Sequence, residues 1–346
     1  MTESHTLPDP TADLHWSAYG GAIHEIFAEN ARKHPDRICV VETPSPTSPR
    51  RDFSYRQINE ASNILAHHLV DNGVRRGEVV MVYAHRGVDL VVAIMGILKS
   101  GATFSVIDPL YPPDRQIIYL DVARPRALII IEKASQEAGP LASSVRNFVA
   151  EHLQLRTEVP SLRISEDGFL AGGIAVKADC LHNQQNRRLE APDILVGPDS
   201  IPTLSFTSGS EGRPKGVKGR HFSLTYYFPW MSETFDLKRE AEEKFTMLSG
   251  IAHDPIQRDI FTPLFLGALL LIPAKEDIQY TKLAEWMEKY GATVTHLTPA
   301  MGQVLVGGAT AQFPALKNAF FVGDILMKRD CRRLQELAPN VNIINM

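Results

Sequence analysis

The sequence predicts an α/β fold of mostly parallel sheets flanked by helices, and three observations carry that expectation. Strand-length apolar runs alternate with amphipathic helical patterns along nearly the whole chain. Several strands, such as Val79–Tyr83 and Ala127–Ile131, are apolar throughout, as strands covered on both faces must be. At 346 residues and 44% hydrophobic content, the chain exceeds ordinary single-domain length and can fill two lobes.

Residues 1–20 read as a flexible leader. A helix follows with Ile23, Ile26, Phe27 and Ala31 on one face, stopped by Pro35 before an apolar strand at 38–41. After a proline-broken loop at 43–51, Phe53 leads into a helix with Ile58, Ala61, Ile64, Leu65 and Leu69 at helical spacing, ended by Gly73. Strand Val79–Tyr83, helix Val88–Lys99, strand Thr103–Ile107, a helix opened by Pro112 and Pro113, and strand Ala127–Ile131 complete the first run. Residues 134–200 are polar and aperiodic, which predicts an irregular insertion carrying little chemistry. Alternation resumes at Pro202, with strands expected at 244–248, 268–272, 293–297, 319–322 and 341–344. Helices are expected at 222–231, 255–265, 282–290, from Pro299, and at 328–337. Two α/β subdomains are expected, 21–201 and 202–346.

Composition excludes several function classes. A net charge of −4, with Lys and Arg dispersed, supplies no basic stripe to neutralise a nucleic-acid backbone. Cys39, Cys180 and Cys331 are odd in number and far apart, which suits a reducing compartment and offers no zinc spacing. The N-terminus is polar and acidic, unlike a signal peptide, and the longest apolar runs, 90–98 and 261–272, are too short to span a bilayer. A cytoplasmic protein with no membrane or nucleic-acid partner is expected.

The densest chemistry lies at 204–221, LSFTSGSEGRPKGVKGRH. An apolar run opens into Thr207, Ser208, Gly209, Ser210, Glu211 and Gly212, then Pro214 and Lys215. Glycines and small hydroxyls let backbone N–H groups close around phosphate oxygens, and Lys215 adds positive charge. The spacing is not that of a Walker loop. The plainer alternative is a polar surface turn between a strand and a helix.

The string resembles the phosphate loop of adenylate-forming enzymes, whose usual form reads like TSGTTGxPKG, with Glu211 standing where that family usually has Thr. Residues 53–69, FSYRQINEASNILAHHL, and 98–111, LKSGATFSVIDPLY, resemble the family's first two core motifs, in the family's order. The fold implied is the large N-terminal lobe of such an enzyme. Thr207, Ser208, Gly209, Ser210, Glu211, Gly212 and Lys215 would then hold ATP with Mg²⁺, and the Gly323–Asp324 turn would border the adenine. Metal ligands are not readable from the sequence.

A second constellation is SGIAHDPIQRDIF at 249–261. From spacing alone, Asp254 is a helix N-cap, Pro255 the first helical residue, and Arg258 a surface ion-pair partner four residues on. The resemblance to peptide-synthetase adenylation domains instead implies that Asp254 binds a substrate α-amino group and that His253 holds the neighbouring gating position. Lys215 and His253 are accordingly the expected catalytic residues. Asp254, Pro255, Arg258, His296, Phe320, Val322 and Met346 together resemble the pocket of fungal-type α-aminoadipate reductases, whose adenylation domain selects L-2-aminoadipate. A distal carboxylate needs a fixed guanidinium, which Arg258 offers. A buried, satisfied histidine stays open for His296, and plain core for Phe320 and Val322. The resemblance further implies carrier and reductase domains using phosphopantetheine and NADPH, on a route to lysine. None of their sites is in this chain. The chain ends where the family continues with a YGxTE motif and a small C-terminal lobe, so a truncated domain, weakly active or inactive alone, is expected. Another carboxylate activator, such as an acyl-CoA synthetase, would leave Asp254 and Arg258 unexplained, and a non-enzymatic nucleotide binder is the third possibility.

Overall fold

The alternating pattern folds into two seven-stranded sheets. A computed structural model describes residues 19–173, 179–207, 214–237, 243–279 and 281–346. One sheet has the order β7 (Leu170–Ala171), β6 (Thr157–Ile164), β5 (Ala127–Ile131), β3 (Val79–Tyr83), β4 (Thr103–Ile107), β8 (Thr203–Thr207), β9 (Lys215–Gly219). The other runs β14 (Asn342–Asn345), β13 (Asn318–Phe321), β12 (Val294–Leu297), β10 (Lys244–Thr246), β11 (Leu269–Ile272), β1 (Ile38–Glu42), β2 (Arg51–Ser54). Pairing is parallel except at β1–β2, β6–β7 and β8–β9. The apolar strands β3, β4 and β5 are buried at every residue, as two-sided coverage requires.

Helices α1 (Ile23–Lys33), α2 (Tyr55–Asp71) and α3 (Val88–Lys99) pack together beside these sheets. Ser54 starts α2 with a reciprocal capping box: its Oγ accepts from Gln57 N at 3.2 Å while Gln57 Oε1 accepts from Ser54 N at 2.9 Å. Every residue of α3 is buried. Its close approach to α2 depends on Gly96, where an added Cβ would come within 2.9 Å of Leu65 Cβ. The remaining helices are α4 (Pro113–Ala123), α5 (Glu132–Ala138), α6 (Ser143–His152), α7 (His221–Thr234), α8 (Pro255–Leu266), α9 (Leu283–Tyr290), α10 (Pro299–Val306) and α11 (Lys328–Leu337). Edge-on contact of Phe104 in β4 with Phe261 in α8, centroids 6.0 Å apart, joins the sheets through one core. No described helix is long and apolar enough to cross a membrane.

The expectation for 134–200 is corrected. That stretch supplies most of α5, all of α6, and β6, which pairs in parallel with β5. The strand was masked by Pro160 and charged outward residues, yet Val159, Leu162 and Ile164 face the core. Sheet membership also cuts across the expected division at 201/202. β1 and β2 edge the sheet of the later strands, and β8 and β9 edge the sheet of the earlier ones. The expected leader lies outside the described residues as far as residue 18.

Candidate functional site

Parallel strands leave their C-terminal ends open as a crevice, the usual place for a ligand in α/β sheets. The register His296↔Phe320↔Ile344 across β12, β13 and β14 sets these residues level, and period-two alternation puts Val322 and Met346 on the same side one step beyond. Val322 N donates to Leu297 O at 3.1 Å and Met346 N to Phe321 O at 2.9 Å, so both stand at the strand mouths. Phe320 is buried, edge-on to Phe235 at 5.0 Å and stacked on His296 at 5.2 Å. Gly323 follows at φ +98°, with no atom within 4 Å of the Cβ position, and Asp324 Oδ1 accepts from Ile325 N at 2.7 Å.

Helix α8 packs on β10 and β12 and brings the second constellation to these mouths. Pro255 occupies its first turn. Asp254 precedes it with helical φ −57° and ψ −31° and makes no side-chain capping bond. Among the described residues no ion pair joins it to Arg258, whose Nη1 is buried without a hydrogen-bond partner. Neither the capping bond nor the surface ion pair of that alternative forms: Asp254 is exposed without a capping bond, and Arg258 is half-buried with its Nη1 lacking a protein partner. His296 is buried between Phe245 and Phe320, with Nδ1 3.4 Å from Asp259 Oδ1 and neither ring nitrogen hydrogen-bonded.

The turn before α8 is clamped. Asp259 Oδ2 accepts from Leu248 N at 2.9 Å and Ser249 N at 2.8 Å. Arg86 donates to Leu248 O at 3.0 Å and, through Nη2, to Ser249 O at 2.8 Å. Burial lowers the Arg86 pKa, opposed by Asp259 and Asp108. Neither clamp residue was singled out from the sequence, although Asp259 is a lone carboxylate among the apolar residues of IQRDIF.

His253 links this turn to the β8–β9 hairpin. Its Nδ1 lies 3.1 Å from Phe206 O and its Nε2 3.0 Å from Tyr111 Oη. A carbonyl only accepts, so Nδ1 carries the proton and, in the neutral ring, Nε2 accepts from the Tyr111 hydroxyl. Tyr111 is braced by the Arg115 guanidinium 4.0 Å over its ring, and burial pushes its pKa up to about 12. Tyr111 was quoted only as the end of a motif, and its contact with His253 needed the fold. Phe206 stacks on Tyr119 at 3.9 Å. Thr207 and Lys215 face each other as the last pair of the β8–β9 hairpin, both exposed. Ser208, Gly209, Ser210, Glu211 and Gly212 lie outside the described residues. Among those described, no group of three or more His, Cys, Asp or Glu could hold a metal.

Two mostly parallel sheets with helices on their faces, the β8–β9 hairpin and the turn into α8 at the strand mouths have the arrangement of an adenylation-type domain. The chain belongs to the AMP-binding enzyme family, whose profile matches residues 27–346. It is 71% identical to the L-2-aminoadipate reductase large subunit of Penicillium chrysogenum, over 100% of this chain and 25% of that protein. It is 62% identical to the L-2-aminoadipate reductase of Schizosaccharomyces pombe, over 100% of this chain and 24% of the relative. The chain thus spans about a quarter of the length of these curated relatives. Among solved structures, the nonribosomal peptide synthetase FmoA3 matches with a TM-score of 0.74 at 21% identity, covering 94% of this chain and 31% of that one.

Proposed function

We propose that this chain activates the carboxylate of an amino acid with ATP and that the amino acid is L-2-aminoadipate. The observation that carries it is the Arg258 guanidinium, held half-buried with Nη1 unpartnered, four residues from the exposed, uncapped Asp254 at the strand mouths. A zwitterion with a second carboxylate supplies what both lack: an ammonium for Asp254 and a distal carboxylate for Arg258. The names of the most similar relatives point to the same amino acid.

In the reaction, a substrate carboxylate oxygen attacks the α-phosphorus of ATP and the bond to pyrophosphate breaks, leaving acyl-adenylate. The chain's part is to fix the attacking group in line and to neutralise phosphate charge. Lys215 and Thr207, exposed at the end of the β8–β9 pair, fit the phosphate side. The open Gly323–Asp324 turn fits the base. Mg²⁺ bound with ATP would supply further neutralisation of phosphate charge. In a longer polypeptide the acyl group would pass to a phosphopantetheine carrier and be reduced with NADPH to the semialdehyde.

The test is amino-acid-dependent ATP–pyrophosphate exchange in the longer polypeptide, comparing L-2-aminoadipate with norleucine. Arg258→Ala should lower kcat/KM for aminoadipate by roughly 2 to 5 kcal/mol, about thirtyfold to a few thousandfold, with much less loss for norleucine. Equal losses would show that Arg258 does not read the distal carboxylate.

A further inference from the structure

Arg258 is not alone at the charged end of the pocket. Tyr227 on α7 is half-buried, its ring tilted against Trp230 at 5.7 Å and edge-on to Phe228 at 5.7 Å. Its hydroxyl reaches the Met346 thioether, Oη to Sδ 3.7 Å, and that sulfur is a weak acceptor. A partly buried phenol ordinarily finds a strong acceptor. Burial raises the Tyr227 pKa, and the Arg258 charge opposes that shift.

Each of two helices thus carries a donor without a strong protein acceptor: the Tyr227 O–H on α7, which meets only the Met346 thioether, and the buried Arg258 Nη1 on α8. Met346, which the Tyr227 hydroxyl meets, stands at the mouth of β14. The missing group is an acceptor-only anion with more than one oxygen, and a carboxylate takes a guanidinium N–H on one oxygen and a phenol O–H on the other.

We propose that Tyr227 is a specificity-determining residue, its hydroxyl joining Arg258 in holding the distal carboxylate of the amino acid. The proposal rests on the proposed function above and extends it to a residue on another helix. A hydroxyl that binds only a charged end discriminates against substrates lacking that end, because its best hydrogen bond is then lost.

The experiment is exchange kinetics in the longer polypeptide for Tyr227→Phe beside Arg258→Ala, each with L-2-aminoadipate and norleucine. Tyr227→Phe keeps the ring packing and removes only the donor. It should cost aminoadipate kcat/KM about tenfold to a hundredfold, the scale of a hydrogen bond to a charged group, while norleucine changes by less than about twofold. Selective loss in Arg258→Ala with no selective loss in Tyr227→Phe overturns the role of Tyr227 and leaves the proposed function standing. Equal loss for both substrates in Tyr227→Phe assigns the tyrosine to packing and overturns the proposal as well. Equal loss in Arg258→Ala overturns the substrate assignment and this inference with it.

Discussion

Lys99 and Arg258 are two cations that the fold takes out of water, and they are treated in opposite ways. Lys99, 2% exposed at the end of α3, has its Nζ within 3.0 Å of four acceptors on α2: Asn59 O, Asn59 Oδ1, Ser62 Oγ and Asn63 Oδ1. Every ammonium proton has a place, and burial holds the pKa well below the usual lysine value. Arg258 keeps a buried Nη1 with no partner. Arg86, a few ångströms from the same turn, spends its guanidinium on Leu248 and Ser249 carbonyls. Burial of charge therefore does not mark a ligand site by itself. Arg258 differs in that its buried Nη1 finds no protein acceptor, an arrangement that costs about 1 to 3 kcal/mol and that a ligand can relieve.

The contrast breaks first at the clamp. Asp259→Ala strands the buried N–H groups of Leu248 and Ser249 and removes one of the two carboxylates, with Asp108, whose charge offsets the burial of Arg86. A loss of about 3 to 5 kcal/mol in stability is expected from denaturant midpoints. A loss under about 1 kcal/mol would mean that the turn carrying His253 and Asp254 is held by something else. Next comes Lys99→Met, which fills similar volume but leaves the Asn59, Ser62 and Asn63 oxygens without their donor. About 2 kcal/mol of stability should go, with the ratio of aminoadipate to norleucine exchange unchanged. A changed ratio would erase the distinction between a spent and an unspent charge.

How far the sequence reached follows from the same distinction. Strands such as Val79–Tyr83 and Ala127–Ile131 were legible because burial on both faces writes itself as an apolar run. β6 was not, because Thr157–Ile164 mixes core residues with Glu158, Pro160 and Arg163 on its outer side. Crossing of β1–β2 into the later sheet was invisible for another reason: strand order is decided by partners more than 200 residues away, such as Leu270 for Val40. At the candidate site, spacing alone read Asp254 and Arg258 as an N-cap and a surface ion pair, and only the resemblance of SGIAHDPIQRDIF to adenylation domains singled them out. Tyr227, Arg86 and Tyr111 were not singled out, because each acts through a residue distant in sequence: Met346 and Arg258, Ser249, and His253. A tyrosine in the aromatic run HFSLTYYFPW of α7 carries no local mark of which ring faces a cation.

The smallest expected effect tests the structural side of the comparison through pH. Beside Lys99, His24 on α1 and His221 on α7 meet edge-on with centroids 5.5 Å apart, both buried and each with an Nδ1 lacking a hydrogen-bond partner. Burial lowers both pKa values, that of His221 to about 3, and for His24 the charges of His221 and Lys99 push the same way. In the folded state both rings stay neutral, whereas the unfolded chain protonates them near pH 6.5. The unfolded state then binds more protons, so stability is fully present above about pH 6.5 and is lost as pH falls from there toward the folded value of about 3. For His221 alone the loss between pH 7 and pH 5.5 is about 1 kcal/mol. Asp89 acts in the opposite sense, because burial raises its pKa to about 6 and favours the folded state as pH falls. The measurement is therefore a difference: denaturant midpoints at pH 7 and pH 5.5 for the parent and for His221→Gln, in which the Asp89 contribution cancels. The parent should lose more stability on acidification than the variant. Equal losses would show that the α1–α7 joint tolerates a second cation beside Lys99, and that the fold guards its structural charges less closely than four acceptors around one ammonium imply.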